Sequence, residues 1–235
     1  MSDIGQRTQI LIGEDGVKAL KDSYVVLAGA GAVGGYALEG LVRAGVGHIK
    51  VIDGDVFDKT NLNRQILATT DTIGCPKAEV AIERARSINP DIDITADVTL
   101  ISEETVPKIL EKRPDVLVDA IDTMQHKAAL LRYAAVNGLT VFSSMGAAMH
   151  LDSQKIRIAT LKKTNTCPLA AGLRSKLRDV DTGNITCVYS EEKPLSVPMD
   201  RDEHGKSILG SLPTIPAIFG MTLANETIKY LISQK

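Results

Sequence analysis

Tryptophan is absent, and aromatic residues make up only 3 % of the 235-residue chain. A core with so few large rings suits a sheet of Val, Ile and Leu packed between helices. Cysteine is scarce too: Cys75, Cys167 and Cys187 stand far apart. They form neither a disulfide scaffold nor the C-x-x-C pairs that grip structural zinc, so no zinc is expected. No apolar run is clean enough to cross a bilayer. The most apolar late stretch, residues 215–232, is interrupted by Asn225, Glu226 and Lys229, which are costly at mid-bilayer, so a packed helix is expected there and no membrane span. Met1 to Arg7 is polar and shows no secretory signal. Together these absences predict a cytoplasmic, reduced protein.

What is present is ordinary for a globular chain, with 44 % hydrophobic and 24 % charged residues. The length allows one sizeable core and predicts a single domain over residues 1–235. A net charge of −2 decides nothing about nucleic acid, but the distribution is uneven. Lys155, Arg157, Lys162, Lys163, Arg174, Lys176 and Arg178 fall between Asp152 and Asp179 with no acid among them. Such a run is either a solvated face or a patch that meets phosphates.

Short apolar runs alternate with helical spacing, the signature of repeated βαβ units. Strands are expected at Tyr24 to Ala28, His48 to Asp53, around Ile92 and Ile94, Val116 to Val118, Thr140 to Ser143, Lys155 to Ala159 and Cys187 to Tyr189. Helical spacing follows Val33, runs from Ala78 to Ile88, and recurs near 106–110 and 126–137. A short basic helix begins near Pro168, and a last one near 213–216. The fold class is therefore α/β, a Rossmann-like and mainly parallel sheet with helices on both faces, plus a C-terminal α/β extension. Residues 20–146 read as a nucleotide-binding half and residues 147–235 as an acceptor-specific half.

Gly29-Ala30-Gly31-Ala32-Val33-Gly34 lies between an expected strand and an expected helix. Glycines there let the backbone turn tightly, and the helix amino terminus offers N–H groups to phosphate. Asp53 ends the next strand, placed to accept hydrogen bonds from ribose hydroxyls. Those features alone fit an NAD-dependent dehydrogenase equally well. The following segment, Asp53-Gly54-Asp55 through Asn61-Leu62-Asn63-Arg64-Gln65, carries more than adenosine recognition needs. With Lys77 and Asp122, it supplies cations for phosphates and a carboxylate for Mg²⁺.

The ordered set Gly29-x-Gly31-x-x-Gly34, Asp53, Asp55, Asn61-x-Asn63-Arg64-Gln65, Lys77 and Asp122 resembles the superfamily of ubiquitin-activating enzymes and the bacterial thiamine- and molybdopterin-biosynthesis adenylyltransferases. The resemblance implies ATP as cosubstrate, with ribose on Asp53, the triphosphate on Asn61, Arg64 and Lys77, and Mg²⁺ on Asp122. Arg7 matches an arginine that reaches a neighbouring subunit's phosphates, which implies a homodimer. A bound monovalent cation is compatible with the pattern, although no residue spacing marks one.

The second half resembles a narrower branch, the transfer-RNA threonylcarbamoyladenosine dehydratases. The segments carrying it are Val118-Asp119-Ala120-Ile121-Asp122-Thr123, Lys127-Ala128-Ala129-Leu130, Ser144-Met145-Gly146-Ala147, Pro168-Leu169-Ala170-Ala171 and Cys187-Val188-Tyr189-Ser190-Glu191-Glu192. The branch implies that a threonyl carboxylate on RNA is adenylated and then cyclised by its neighbouring carbamoyl group. A nucleophile inside the substrate makes a protein cysteine unnecessary, and the basic run then meets RNA. This chain departs from the branch at Ser143-Ser144, at Asn165-Thr166-Cys167, and in an apparently short segment from Lys193 to Gly210. Three rivals stay open: activation of the C-terminal glycine of a ubiquitin-like sulfur carrier, a dehydrogenase, and a non-catalytic nucleotide-binding regulator. A sulfur-transfer protein partner is also compatible with the pattern.

Overall fold

Val25 and Leu27 pack into the core on one side of the first strand, and Val26 and Ala28 into the core on the other; all four are wholly buried. A strand covered on both faces belongs to a parallel sheet between two helical layers. The computed structural model describes residues 3–195 and 209–234. Its seven strands are β1 (Tyr24–Ala28), β2 (His48–Ile52), β3 (Asp93–Asp97), β4 (Val116–Asp119), β5 (Val141–Ser144), β6 (Ile156–Thr160) and β7 (Ile185–Ser190). The helices are α1 (Gln6–Asp22), α2 (Gly34–Ala44), α3 (Lys77–Ile88), the single turn α4 (Val106–Ile109), α5 (Met124–Val136), α6 (Pro168–Lys176) and α7 (Thr214–Ser233).

The sheet order is β3-β2-β1-β4-β5-β7-β6. Every pairing is parallel except β6 with β7, where Ile158 stands opposite Val188. One face is covered by α2, α3 and α7, through residues such as Leu38, Ala81 and Phe219. The other is covered by α4, α5 and α6, through Ile109, Leu130 and Leu173. From β1 the chain winds outward through β2 and β3, then crosses back to place β4 on the opposite side of β1. That reversal opens a crevice at the carboxyl ends of β1 and β4, the position where open α/β sheets take ligands.

The expected α/β architecture is what the chain adopts. Gly45 caps α2 in the left-handed region at φ 97°, its N–H shared between Leu41 O and Val42 O. The extension beyond Gly146 adds no separate layer. Its β7 hydrogen-bonds to β5, with Cys187 in register with Ser143, and α7 returns to lie on α2. The two helices approach so closely that a Cβ on Gly40 would stand 2.6 Å from Ala224 Cβ, and one on Gly220 would stand 2.3 Å from Val33 O.

Helix α1 has no counterpart among the sequence expectations. It buries only Gly16, Ala19 and Leu20 and is interrupted at Gly13, whose φ is 74°. Ile12 packs on the core, but its neighbours Ile10 and Leu11 are 82 % and 85 % exposed, which blurs the apolar stripe of this element. β7 begins at Ile185, ahead of the Cys187 start expected, because Thr186 conceals the alternation. Residues 196–208, most of the segment expected to be short, lie outside those described.

Candidate active site

The crevice is walled by two turns that touch. Gly29 leaves β1 with φ +92°, its N–H on Ile52 O at 2.8 Å, and a Cβ there would stand 2.9 Å from Ala120 O. Gly34 opens α2 against Gly29 itself: a Cβ would stand 1.8 Å from Gly29 O. Only glycine permits either contact. Helix α2 has no side-chain cap, so its first-turn N–H groups and positive dipole end serve the turn. Gly31 differs, since its nearest neighbour would be Gln65 Oε1 at 3.8 Å. Gln65 is buried, and that amide oxygen has no hydrogen-bond partner in the described structure. A buried amide aimed at an open glycine suits a ligand bearing both hydroxyls and phosphates.

Asp53 Oδ2 accepts the Ala30 N–H at 2.7 Å and Oδ1 accepts the Asp55 N–H at 2.9 Å. Each oxygen keeps a lone pair for a ribose hydroxyl while bracing the glycine turn. Burial pushes the Asp53 carboxyl upward, against the pull of those two N–H groups and of Lys77. Lys77 is buried at the start of α3, with Nζ 3.1 Å from Asp55 Oδ2 and 5.9 Å from the Phe57 ring centroid. Asp55 thus holds the lysine that the sequence assigns to phosphate. Arg64 is fixed by its own loop, Nη1 donating to Thr60 O at 2.7 Å and Asn63 Oδ1 at 2.9 Å. Asn61 is buried, and its Oδ1 accepts the Asp58 N–H at 3.2 Å in a capping box.

Asp122 follows β4 on the opposite wall and is exposed, with the Thr123 hydroxyl donating to its Oδ1 at 3.0 Å. Among the described residues no group of three or more His, Cys, Asp or Glu could hold a metal by itself. Mg²⁺ rarely uses such a cage; it binds through one or two carboxylates plus substrate phosphates. The residues present fit that mode, with Asp122 as the carboxylate. Arg7 is exposed on the first turn of α1, ahead of the break at Gly13.

The basic run is less uniform in space than in sequence. Lys162 pairs with Asp181 at 3.1 Å and Arg157 with Glu191 at 3.1 Å. Arg174 is half-buried and donates to Thr164 O at 2.9 Å, which bolts α6 to the preceding turn. Lys155, Lys163, Lys176 and Arg178 are exposed. Cys187 is wholly buried, and burial pushes its thiol up to about 12, far from nucleophilic range.

One part of the site escaped sequence reasoning. Lys127 and Asp119 form a fully buried ion pair, Nζ to Oδ2 2.7 Å, at the base of the turn bearing Asp122. The available signal was position: Lys127 stands at helical spacing with the buried Leu130, Leu131 and Ala134.

Comparison with known proteins places the fold in a family. The model of the ThiF family matches residues 6–235. The chain is 33 % identical to tRNA threonylcarbamoyladenosine dehydratase of Bacillus subtilis (strain 168), covering 96 % of this chain and 93 % of that protein. The enzyme of the same name from Escherichia coli (strain K12) is 36 % identical over 79 % of this chain and 72 % of its own. The crystal structure of the E. coli enzyme in complex with ATP superposes with a TM-score of 0.89 at 31 % identity, covering 98 % of this chain and 94 % of that one.

Proposed function

The chain belongs to the ThiF family, and on that premise we propose that it is an ATP-dependent tRNA threonylcarbamoyladenosine dehydratase, working in the cytoplasm. The observation that carries this is similarity to those dehydratases along nearly the full length of both proteins. The Bacillus subtilis dehydratase is matched over 93 % of its own length, against 73 % for a sulfur carrier protein adenylyltransferase that covers a similar share of this chain, which favours RNA over the C-terminal glycine of a sulfur carrier.

The crevice suits two chemical steps. The threonyl carboxylate of the modified adenosine attacks the α-phosphorus of ATP, and the bond to pyrophosphate breaks. The carbamoyl group then attacks the acyl carbon and loses a proton as AMP leaves, so one water is lost from the nucleoside. The N–H groups of α2 and the cations Arg64 and Lys77 bind phosphate oxygens; each contact that strengthens in the transition state contributes about 3 kcal/mol. Asp53 holds the ribose and Gln65 the adjoining polar edge. Mg²⁺, when bound at Asp122, neutralises charge on the phosphates. Both bonds change within the substrate and ATP, so the inert Cys187 thiol is not called on. Arg7 completes the phosphate site across a homodimer, and the exposed lysines and Arg178 meet the RNA backbone.

The decisive assay follows AMP release from ATP and Mg²⁺ with transfer RNA that carries threonylcarbamoyladenosine, and separately with unmodified transfer RNA. Mass analysis of the digested nucleosides runs beside it. AMP release with loss of one water from the modified nucleoside is expected. No turnover on either RNA, together with turnover on a protein ending in Gly-Gly, refutes the RNA reading. Asp122→Ala is expected to abolish adenylation and leave the fold intact; normal Mg²⁺-dependent pyrophosphate exchange in that variant refutes its role.

A further inference from the structure

Asp122 is exposed, but the turn that carries it is anchored by two charges with no exposure at all. Lys127 and Asp119 lie 2.7 Å apart in the dry interior. A buried ion pair is a poor way to stabilise a fold, because apolar side chains of similar volume often serve as well or better. What this pair achieves is local. Lys127 Nζ donates to Ile121 O at 2.9 Å, and Asp119 Oδ1 accepts the Ile121 N–H at 3.1 Å. Both backbone polar groups of the residue before Asp122 are therefore held by the pair. The Ser143 hydroxyl donates to Asp119 Oδ2 at 2.6 Å, which ties in β5. The Ala120 N–H donates to Ala28 O at 2.8 Å, which ties the same turn to the start of the glycine loop.

We propose that Lys127 and Asp119, supported by Ser143, are positioning residues that fix the Ile121–Asp122 backbone and so aim the Asp122 carboxylate at the Mg²⁺ carried by the nucleotide. The pair touches neither substrate nor metal. It acts through two hydrogen bonds to one peptide unit on each side of Ile121, in a place where water cannot compete for them. The proposal rests on Asp122 being the Mg²⁺ carboxylate.

The test reads binding, so it needs no acceptor. ATP affinity is measured with Mg²⁺ and in EDTA, and AMP affinity beside it. The proteins are wild type, Lys127→Met, Ser143→Ala and the double variant Lys127→Met/Asp119→Leu. The double variant replaces the ion pair with apolar side chains and recovers melting temperature lost in Lys127→Met. Even so, it is expected to lose about tenfold or more of the Mg²⁺-dependent gain in ATP affinity, as removal of groups supporting a metal ligand does. AMP affinity stays within about twofold. Ser143→Ala, which keeps the pair but removes one hydrogen bond to the buried Asp119 carboxylate, loses about threefold of the gain and melts somewhat lower. A stable double variant with the full wild-type gain makes the pair merely structural and overturns the proposal. If that variant does not fold, a full gain in Ser143→Ala overturns it instead. A wild type that gains nothing from Mg²⁺ removes the role of Asp122 and the proposal together. A wild type that gains affinity but releases no AMP on RNA sinks only the acceptor assignment.

Discussion

Two alanines placed three residues apart in the glycine turn should fail in opposite ways. In Gly34→Ala the new Cβ is built 1.8 Å from Gly29 O and 2.8 Å from Gly29 C. Both are backbone atoms, so no side chain can swing aside, and the turn must open or α2 must shift. Forcing a methyl into packed structure costs about 1–3 kcal/mol. At about 2–4 °C per kcal/mol for a chain of this size, the melting temperature should fall by about 2–12 °C. Gly31→Ala meets nothing closer than Gln65 at 3.8 Å, and Gly31 has no positive φ. Its melting temperature should hold or rise slightly, since alanine restricts the unfolded chain. On the proposed function, its methyl nonetheless occupies the surface that phosphate approaches. Loss of one charge-assisted hydrogen bond, about 1.5–3 kcal/mol, weakens ATP binding about 10- to 100-fold. Thermal unfolding with and without ATP, beside equilibrium binding, separates the two effects. A Gly31→Ala protein that melts early and binds ATP normally would refute this account of the turn.

Glu39 is buried between Arg43, 2.8 Å away, and Arg84. Burial raises its carboxyl, but bonds from Arg84 and Arg43 outweigh this and hold it below its usual value of 4.5. A depressed carboxyl stabilises the fold above its unfolded pKa, and that contribution disappears as pH falls through the lower folded value. Glu39→Gln should therefore cost about 1 kcal/mol at pH 7, both arginines being partly solvated, and flatten the unfolding profile below about pH 4.5; an unchanged acid limb refutes it. Reversing charge at Lys163 and Arg178 should weaken RNA binding and reduce its salt slope with ATP affinity unaltered, while Arg174→Glu should lower stability as well; equal melting temperatures in filter-binding-matched samples would refute the division. Iodoacetamide at pH 8 should label the partly exposed Cys75 and spare Cys187, which is buried and whose thiol burial pushes up to about 12; peptide mapping that finds Cys187 alkylated in native protein contradicts this.

The glycine turn was legible because a backbone that must touch itself leaves no choice of residue, and Asp53 because it ends the strand beside that turn. Lys77 and Asp122 could be named from the order of motifs, but their surroundings could not. That Asp55 holds Lys77 is a contact across 22 positions. The acids that partner the basic run lie outside it, at Asp181 and Glu191, and only β6, β7 and their loops bring them near. Lys127 was hidden for a different reason. A lysine normally marks solvent, and nothing local announces that this one meets an aspartate five residues before its own helix begins. Helix α1 was missed because its upper half sets only Ile12 on the core and leaves Ile10 and Leu11 exposed.

The contact between α7 and α2 also bears on how the protein is made. Chains emerge from the ribosome amino terminus first, at about 5–20 residues per second. The glycine turn, Asp53, Lys77 and Asp122 are all synthesised long before Thr214–Ser233. Yet α2, which follows the glycine turn, is seated by Gly220 and Ala224 of α7, and the sheet gains β7 only late. A nascent chain therefore holds the residues proposed to read ATP before it has the scaffold that aligns them. On that proposal, nucleotide binding waits for α7.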